Sequence, residues 1–270
     1  MKQYRFLMIG AHPDDMELRC GGLAQRLIEN GHRVRFLSMT DGGAGHHIMD
    51  RESLILRRAK EAQAAADMLG VEYRIMPIPD GCLEATLAVR EMLIREIRSF
   101  SPHVILTHRT ADYHPDHRAC GQLVMDCSYM VNVPLICSDT PCPEHAPVIL
   151  SVWDRFTRPL PFCPTVIVPI DDLVEKKIDG VLCHVSQFYE WLAFIEGWTD
   201  VSDAPDFDAK TALLRQHLRR RFAAEAALYP GFMPEGVRYA ETFEWNEYGA
   251  PMNEELCKAM GGFFCPKEMR

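Results

Sequence analysis

The fold of this chain is decided near the N-terminus by the stretch Met8-Ile9-Gly10-Ala11-His12-Pro13-Asp14-Asp15-Met16-Glu17. An apolar run that begins at Phe6 ends there at a histidine, a proline and two adjacent carboxylates, and a helical pattern follows. Proline suits the first turn of a helix because its backbone angle is already helical. Polar groups between the carboxyl end of a strand and a helix occupy the place where open α/β sheets bind ligands. The stretch therefore predicts a strand–helix unit with a ligand site at the junction.

Strand and helix patterns alternate from this unit to about residue 130. The patterns predict strands at 6–9, 34–39, 73–76 and 104–106, and helices at 18–29, 55–69 and 87–100. Each strand–helix–strand unit is long enough for a right-handed crossover, which makes the joined strands parallel. We predict the α/β class, with a Rossmann-like three-layer α/β/α arrangement, a mostly parallel sheet and a C-terminal extension.

The composition excludes several classes of protein. A chain of 270 residues with 47% hydrophobic residues can bury a full core. Its formal net charge is −9 and its basic run Arg219-Arg220-Arg221 is short, so a nucleic-acid partner is not expected. No run approaches the roughly 18 unbroken apolar residues of a membrane span, and the N-terminus lacks the apolar region of a signal peptide. We therefore expect a cytoplasmic protein with no membrane span.

The ten cysteines do not indicate a disulfide framework. No two of them are spaced C-x-x-C, and Cys20, Cys120, Cys127 and Cys183 lie inside apolar patterns. Cysteines in such patterns behave as small buried hydrophobes. A chain of this length without a signal peptide is expected to keep them reduced.

A second polar cluster repeats the chemistry of the first about a hundred residues later. The strand at 104–106 is followed by Thr107-His108-Arg109-Thr110-Ala111-Asp112-Tyr113-His114-Pro115-Asp116-His117 and then by a helical pattern. Because the carboxyl ends of parallel strands lie on one edge of a sheet, this cluster is expected to meet His12 and Asp15. Nitrogen and oxygen ligands in a set of three, with room for water, indicate a catalytic Zn²⁺ site. Fe²⁺ or Co²⁺ also fits such ligands.

Ordinary explanations exist for parts of this pattern. Asp14 and Asp15 alone would favour a helix N-terminus through its dipole, and His12 alone would be a hydrogen-bonded turn residue. Helix caps do not need histidines paired with acids on two strand ends, so the joint pattern favours a site. For His108 and Asp112, a supporting role at the site and an ordinary loop position both stay open.

Together the two clusters resemble the PIG-L (LmbE-like) family of zinc-dependent N-deacetylases. The resemblance is carried by residues 11–17 and 112–117 and continues through 69–71, 170–171, 175–177 and 184–187, so it touches residues 4 to about 190. Members of this family remove N-acetyl groups from N-acetylglucosamine units on inositol, lipid, glycopeptide or oligosaccharide carriers. Some act instead on amides of small sugar-derived thiols.

The resemblance implies which residues bind the metal and which residue acts as the base. His12, Asp15 and His117 would hold the metal, in agreement with their spacing. Asp14 would be the general base, beside a ligand and facing the vacant coordination position, where the pKa of a bound water falls toward ~7.

The resemblance also assigns the second cluster. His114 would stabilise the oxyanion or protonate the leaving amine, and Asp116 would hold the His114 ring. The implied function is a metal-dependent hydrolase that removes an N-acetyl group from an N-acetylglucosamine-type amino sugar or its conjugate, by attack of a zinc-bound water.

Four further residues are expected to contact the substrate. Asp41 opens a glycine-rich loop on the same sheet edge; this loop lacks the Lys-Ser/Thr of a P-loop. Arg58 lies where family members often place a helix arginine near the sugar, although a solvated helix face explains it too. Arg155 would bind an anionic part of the substrate or be surface charge beside a proline turn. His184 would approach the site or be a core histidine.

The expected domains are a deacetylase domain at 1–195 and a helical or irregular extension at 196–270 packed on it. The extension lies outside the family pattern, and a lid, a cover for the sheet edge and an oligomer contact all stay open. Expected partners are a small N-acetylated sugar or glycoconjugate and further copies of this chain in a homo-oligomer. The alternatives are an amidase on another acylated amine, such as a thiol–sugar conjugate, and a non-catalytic metal-binding module. The presence of a base, Asp14, favours the hydrolase.

Overall fold

The alternating patterns form one sheet in the computed structural model, which describes residues 2–264. Its strands are β1 (Arg5–Gly10), β2 (Arg33–Ser38), β3 (Glu72–Ile75), β4 (Val104–Thr107), β5 (Val148–Val152), β6 (Val166–Pro169), β7 (Ala240–Asn246) and β8 (Phe263–Phe264). Their order across the sheet is β3-β2-β1-β4-β5-β7-β6-β8. The five strands from β3 to β5 are mutually parallel, while β7 runs antiparallel to both of its neighbours.

Helices cover both faces of this sheet. They are α1 (Asp15–Glu29), α2 (Arg51–Leu69), α3 (Leu87–Phe100), α4 (Pro115–Met130), α5 (Val174–Leu182), α6 (Leu192–Ile195), α7 (Thr199–Ser202), α8 (Phe207–Ala227) and α9 (Glu254–Ala259), with a π-helix at Ser186–Trp191. Phe6 and Met8 pack into the core on one face of the sheet, and Leu7 and Ile9 into the core on the other. A parallel strand buried on both faces is expected to be apolar throughout. The predicted three-layer α/β/α fold with a mostly parallel sheet is confirmed.

The extension contributes a strand to the middle of the sheet. β7 lies between β5 and β6, with Leu150 opposite Trp245 on one side and Ile167 opposite Thr242 on the other. β8 pairs with the outer edge of β6. The sequence pattern predicts a helical or irregular extension here and does not predict β7. The division into two domains at residue 195 stays a prediction.

Two expectations from composition have structural counterparts. Among the described residues, Cys20, Cys120 and Cys127 are buried free thiols, and Cys183 is a half-buried one. Within residues 2–264, no helix combines the length and the apolar character that crossing a bilayer requires.

Candidate active site

The two polar clusters meet at the carboxyl ends of β1 and β4. These strands are hydrogen-bonded neighbours, with Ile9 opposite Thr107. The imidazole centroid of His12 lies 4.6 Å from that of His114 and 5.2 Å from that of His117. Residues about one hundred positions apart therefore share one site, as the parallel topology predicts.

The Asp15 carboxylate lies between the two histidines. Its Oδ2 atom is 3.5 Å from His12 Nδ1, and its Oδ1 atom is 3.4 Å from His117 Nε2. Ligands about 2.0–2.2 Å from a tetrahedral Zn²⁺ are about 3.3–3.6 Å from one another. Charge-assisted hydrogen bonds are shorter, at about 2.7–2.9 Å. Gly10 makes room for Asp15, because a Cβ at Gly10 would lie 2.8 Å from Asp15 Cβ. These two separations involve different oxygens of Asp15, and each is in the range expected between ligands of one divalent ion such as Zn²⁺.

Each of these histidines has a carboxylate near its other ring nitrogen. His12 Nε2 lies 3.3 Å from Asp80 Oδ1 and 3.3 Å from Asp116 Oδ2. His117 Nδ1 lies 3.1 Å from Asp112 Oδ1. Carboxylates placed in this way fix the orientation of a metal-binding imidazole and raise its basicity. His12 Nδ1 and His117 Nε2 are thereby left to face Asp15.

Several side chains besides these three can supply ligand atoms. Three groups each bring their ligand atoms within 4.8 Å of one another: His12, His114 and His117; Asp15, His108 and His117; and His12, Asp80 and Asp116. His108 Nε2 lies 3.1 Å from Asp15 Oδ2, and the His108 ring stacks on His117 at 4.1 Å. Of the alternatives left open for His108 and Asp112, the structure places both residues at the site.

The electrostatics of the cluster favour positive charge at its centre. Burial lowers the pKa of His117, but Asp15 and Asp112 more than compensate and raise this pKa to about 9. Burial also opposes the charge on His12, while Asp116, Asp15 and Asp80 raise its pKa well above the usual value. Burial would raise the pKa of Asp15, yet His117 and His108 hold it well below the usual range. A cation that displaces the protons of these two histidines would find the carboxylates already ionised.

Asp14 has a strained backbone beside this cluster. Its φ and ψ angles are 152° and −20°, a conformation that residues with a side chain rarely adopt. Strain of this kind costs about 1–3 kcal/mol and is concentrated at functional sites. Burial raises the pKa of Asp14 to about 6, although the Arg58 guanidinium opposes the rise. Asp14 is therefore a carboxylate whose pKa lies close to the range that general-base catalysis uses.

Arg58 is the cation that holds Asp14 in place. Its side chain is only 2% exposed, and Nη2 lies 3.0 Å from Asp14 Oδ2. The same guanidinium donates to Pro13 O at 2.7 Å and to Gly42 O at 3.0 Å. Arg58 therefore joins α2 to the histidine–aspartate loop and to the glycine-rich loop. It lies inside the site, and the solvated helix face considered from sequence does not describe it.

His114 and Asp116 are both at the site but do not interact as expected. His114 caps α4, and its Nδ1 accepts the N–H of Asp116 at 3.2 Å. The Asp116 carboxylate accepts the N–H groups of Gly81 and Leu83, at 2.7 Å and 3.2 Å, and is the one that faces His12. The first turn of α4 thus directs this carboxylate toward the loop after β3. Asp116 contacts His114 through its backbone, and its side chain lies 3.3 Å from His12 Nε2.

The other three expected substrate contacts differ in their surroundings. Asp41 Oδ1 accepts the N–H of Gly43 at 2.9 Å and that of Asp80 at 3.0 Å, so it shapes the glycine-rich loop. Arg155 is exposed, with its guanidinium 5.9 Å from the centroid of the adjacent Phe156 ring. His184 has no exposed surface, and its Nε2 lies 2.8 Å from Glu17 Oε1.

Asp80 belongs to the site, although the sequence analysis did not select it. Its carboxylate is 7% exposed, faces His12 and accepts the N–H of Ala44 at 3.0 Å. Burial would raise the pKa of Asp80, but His12 and the Ala44 N–H lower it well below the usual value. The sequence does contain a signal for Asp80, because this residue follows β3 and therefore lies on the same sheet edge as the other loops of the site.

Comparison with known proteins identifies a matching family model and relatives of this chain. A family model described as PIG-L, GlcNAc-PI de-N-acetylase, matches residues 7–128. A diacetylchitobiose deacetylase from Thermococcus kodakarensis is 31% identical over 193 residues, covering 69% of this chain and 71% of that protein. A mycothiol S-conjugate amidase from Streptomyces coelicolor is 28% identical over 149 residues, covering 46% of this chain and 51% of that protein.

The fold is also found in solved structures. An N,N'-diacetylchitobiose deacetylase from Pyrococcus horikoshii aligns with a TM-score of 0.73 and 24% identity, covering 91% of this chain and 84% of that one. At this identity the match concerns the fold, and it spans the extension as well as the first 195 residues.

Proposed function

This chain belongs to the PIG-L family of de-N-acetylases, and from that premise we propose that it is a metal-dependent hydrolase that removes the N-acetyl group of an N-acetylglucosamine-type amino sugar or its conjugate. The matches to the family model and to the diacetylchitobiose deacetylase confirm the resemblance indicated by the two sequence motifs. One observation carries the proposal: His12 and His117 turn toward Asp15 at 3.5 Å and 3.4 Å, with the arginine-held carboxylate of Asp14 beside them.

A divalent ion held by His12, Asp15 and His117 would polarise the acetamide carbonyl and lower the pKa of a water molecule. Asp14 accepts the proton of the attacking water, and Arg58 keeps it ionised for that task. As the C–N bond breaks, Asp14 returns this proton to the leaving amine, so acetate and a free amine are the products. Zn²⁺ is the expected ion, with Fe²⁺ and Co²⁺ as alternatives.

His114 is suited to donating a hydrogen bond to the developing oxyanion. Burial and, in the metal-free protein, the positive charge of His12 and His117 lower its pKa, and a bound cation would act in the same direction, so the ring is neutral near pH 7. Because its Nδ1 accepts the N–H of Asp116, the single ring proton belongs on Nε2. A neutral imidazole with a fixed tautomer supports the oxyanion and leaves proton delivery to Asp14.

The named activities of the relatives supply the substrate classes to compare. Diacetylchitobiose deacetylase favours an N-acetylated sugar, and mycothiol S-conjugate amidase keeps the thiol–sugar amide as the alternative. The non-catalytic metal-binding module is disfavoured because a site without turnover has no need of Asp14. Homo-oligomerisation stays a prediction from sequence.

A substrate panel tests the proposal. Acetate release is measured from N-acetylglucosamine, its disaccharide and inositol- or nucleotide-linked forms, with metal content determined on the same samples. Asp14→Ala is expected to keep the metal and lose at least about 100-fold in rate, while His117→Ala loses both. The exposed Asp67 of α2 provides the control, Asp67→Ala, which is expected to match the wild type. Equal rates for the wild type and Asp14→Ala would refute the mechanism.

A further inference from the structure

Helix α1, which carries Asp15, is interrupted one turn after it begins. Cys20 has φ −144° and ψ 23°, outside the helical range, so Asp15–Arg19 and the part that starts at Gly21 are separate helical pieces. The first piece holds Asp15 and Glu17 and buries Met16, and the second packs into the same core. The direction of the first piece is not set by the helical geometry of the second.

A carboxylate from the far end of the chain caps the second piece at the break. The N–H groups at the start of a helix have no acceptors within it. Here Gly22 N–H donates to Glu241 Oε1 at 2.9 Å, and Leu23 N–H donates to Glu241 Oε2 at 2.7 Å. Glu241 lies on β7 and is buried. A negative charge at this end also interacts favourably with the helix dipole.

Lys177 neutralises this buried carboxylate. Its Nζ lies 2.7 Å from Glu241 Oε1, and both side chains are at most 3% exposed. The ammonium group also lies 4.1 Å from the centroid of the Phe222 ring on α8. A Cβ on Gly22 would lie 2.8 Å from Ile170 Cγ2, so the backbone just after the break packs directly against Ile170.

We propose that Glu241 and Lys177 are positioning residues of the active site. The pair fixes the break in α1, and the break sets the direction of the turn that presents Asp15 to His12 and His117. At the other side of that turn, the buried contact between Glu17 and His184 holds it in the same place. The inference rests on the proposed function for its catalytic meaning, since it states what orients a metal ligand of that site.

The test compares Glu241→Gln with the wild type in three measurements. The amide of glutamine has one oxygen to replace the two that cap Gly22 and Leu23, and it leaves Lys177 without a charged partner. We expect faster amide exchange at residues 16–23 in the metal-free protein. We also expect the Zn²⁺ dissociation constant to rise about 10–100-fold, as it does when residues that orient metal ligands are replaced. The kcat should fall while KM stays nearly unchanged.

Leu214→Ala serves as the control for a general loss of stability, because Leu214 is fully buried in α8 and takes no part in the hydrogen bonds that cap the break. It is expected to lower the melting temperature while changing the Zn²⁺ dissociation constant by much less than the roughly 10–100-fold expected of Glu241→Gln. Where Glu241→Gln fails to fold, the double variant Glu241→Gln/Lys177→Met removes the unpaired charge and is measured instead.

The positioning role would be overturned if Glu241→Gln, or the double variant measured in its place, showed wild-type amide exchange at residues 16–19 together with wild-type Zn²⁺ affinity. A wild-type protein that bound no Zn²⁺ would refute the proposed function alone. The exchange measurement on the metal-free protein would then still decide whether Glu241 holds the first turn of α1.

Discussion

Replacing Arg58 by methionine tests the electrostatic core of the site most directly. Methionine approximates the length of the arginine stem but donates no hydrogen bond. The change would leave Asp14, Pro13 O and Gly42 O without the guanidinium that now lies 2.7–3.0 Å from each of them. Because Arg58 is 2% exposed, little water reaches these groups to replace it.

The expected loss follows from these three contacts. Hydrogen bonds to a charged group contribute about 1.5–3 kcal/mol each, and they are not additive when they share one donor. Breaking a buried ion pair by removing one partner costs about 3–5 kcal/mol. At roughly 2–4 °C per kcal/mol, the melting temperature should fall by about 10 °C.

Arg57, the preceding residue of α2, offers a matched control. Its side chain is 31% exposed and pairs with Glu190 at 2.5 Å and with Glu61 at 3.1 Å. Ion pairs with this much solvent contact contribute about 1 kcal/mol or less. Thermal unfolding of the metal-free proteins should therefore separate Arg58→Met from Arg57→Met. Equal losses, or a loss below about 1 kcal/mol for Arg58→Met, would refute the reasoning.

The same variant carries a pH signature. Asp14, with its pKa raised to about 6, loses its basic form as the pH falls through that value. The Arg58 cation holds this pKa down, so its removal raises it further. The acid side of the rate profile should move upward by about 1–3 pH units, the range by which an adjacent arginine lowers an aspartate pKa. An unmoved profile would exclude Asp14 as the titrating base.

Three further predictions concern the metal and the strained residue. Removal of the metal by a chelator should abolish acetate release and Zn²⁺, Fe²⁺ or Co²⁺ should restore it; full activity after verified removal would contradict the proposal. Asp80→Asn should raise the metal dissociation constant about 10–100-fold in a calorimetric titration, because it disturbs the orientation of His12. An unchanged dissociation constant would contradict a role for Asp80 at the site. Asp14→Gly should be more stable than Asp14→Ala by about 1–3 kcal/mol, since glycine adopts φ 152° without strain; equal melting temperatures would count against that strain.

The sheet and the meeting of the two clusters were predictable from sequence because each depends on short-range patterns and one topological rule. An apolar run that stops at His12 marks a strand end by itself. The crossover rule then puts the loop containing His117 on the same edge. The proximity of His12, Asp15 and His117, which we propose to bind the metal, follows from placement of the backbone alone, before any side-chain conformation is known.

The interactions that orient these side chains could not be obtained in the same way. Whether the Asp116 carboxylate faces His114 or His12 depends on a side-chain rotation and on acceptance of two N–H groups from the loop after β3. Asp80 lay in a segment rich in proline and glycine, whose conformation is set by long-range contacts. Such choices are made by packing between segments, which sequence periodicity does not encode.

β7 was missed for a related reason. Its glutamates resemble a solvated surface, but Glu241 pairs with Lys177 and Glu244 lies 3.2 Å from Arg109. Charges that are neutralised by residues far away in the chain make a buried strand look polar. Only the three-dimensional partners show that this segment belongs inside the sheet.

The late arrival of β7 has a consequence for biosynthesis. β6 ends at Pro169 and β7 begins at Ala240, so at roughly 5–20 residues per second the ribosome needs about 4–14 s to supply the missing strand. During that interval the facing edges of β5 and β6 have open backbone donors and acceptors, which can template pairing with another nascent chain. Slow translation or premature termination in this interval should therefore yield aggregates, and chaperone dependence should be greatest before residue 246 has left the exit tunnel.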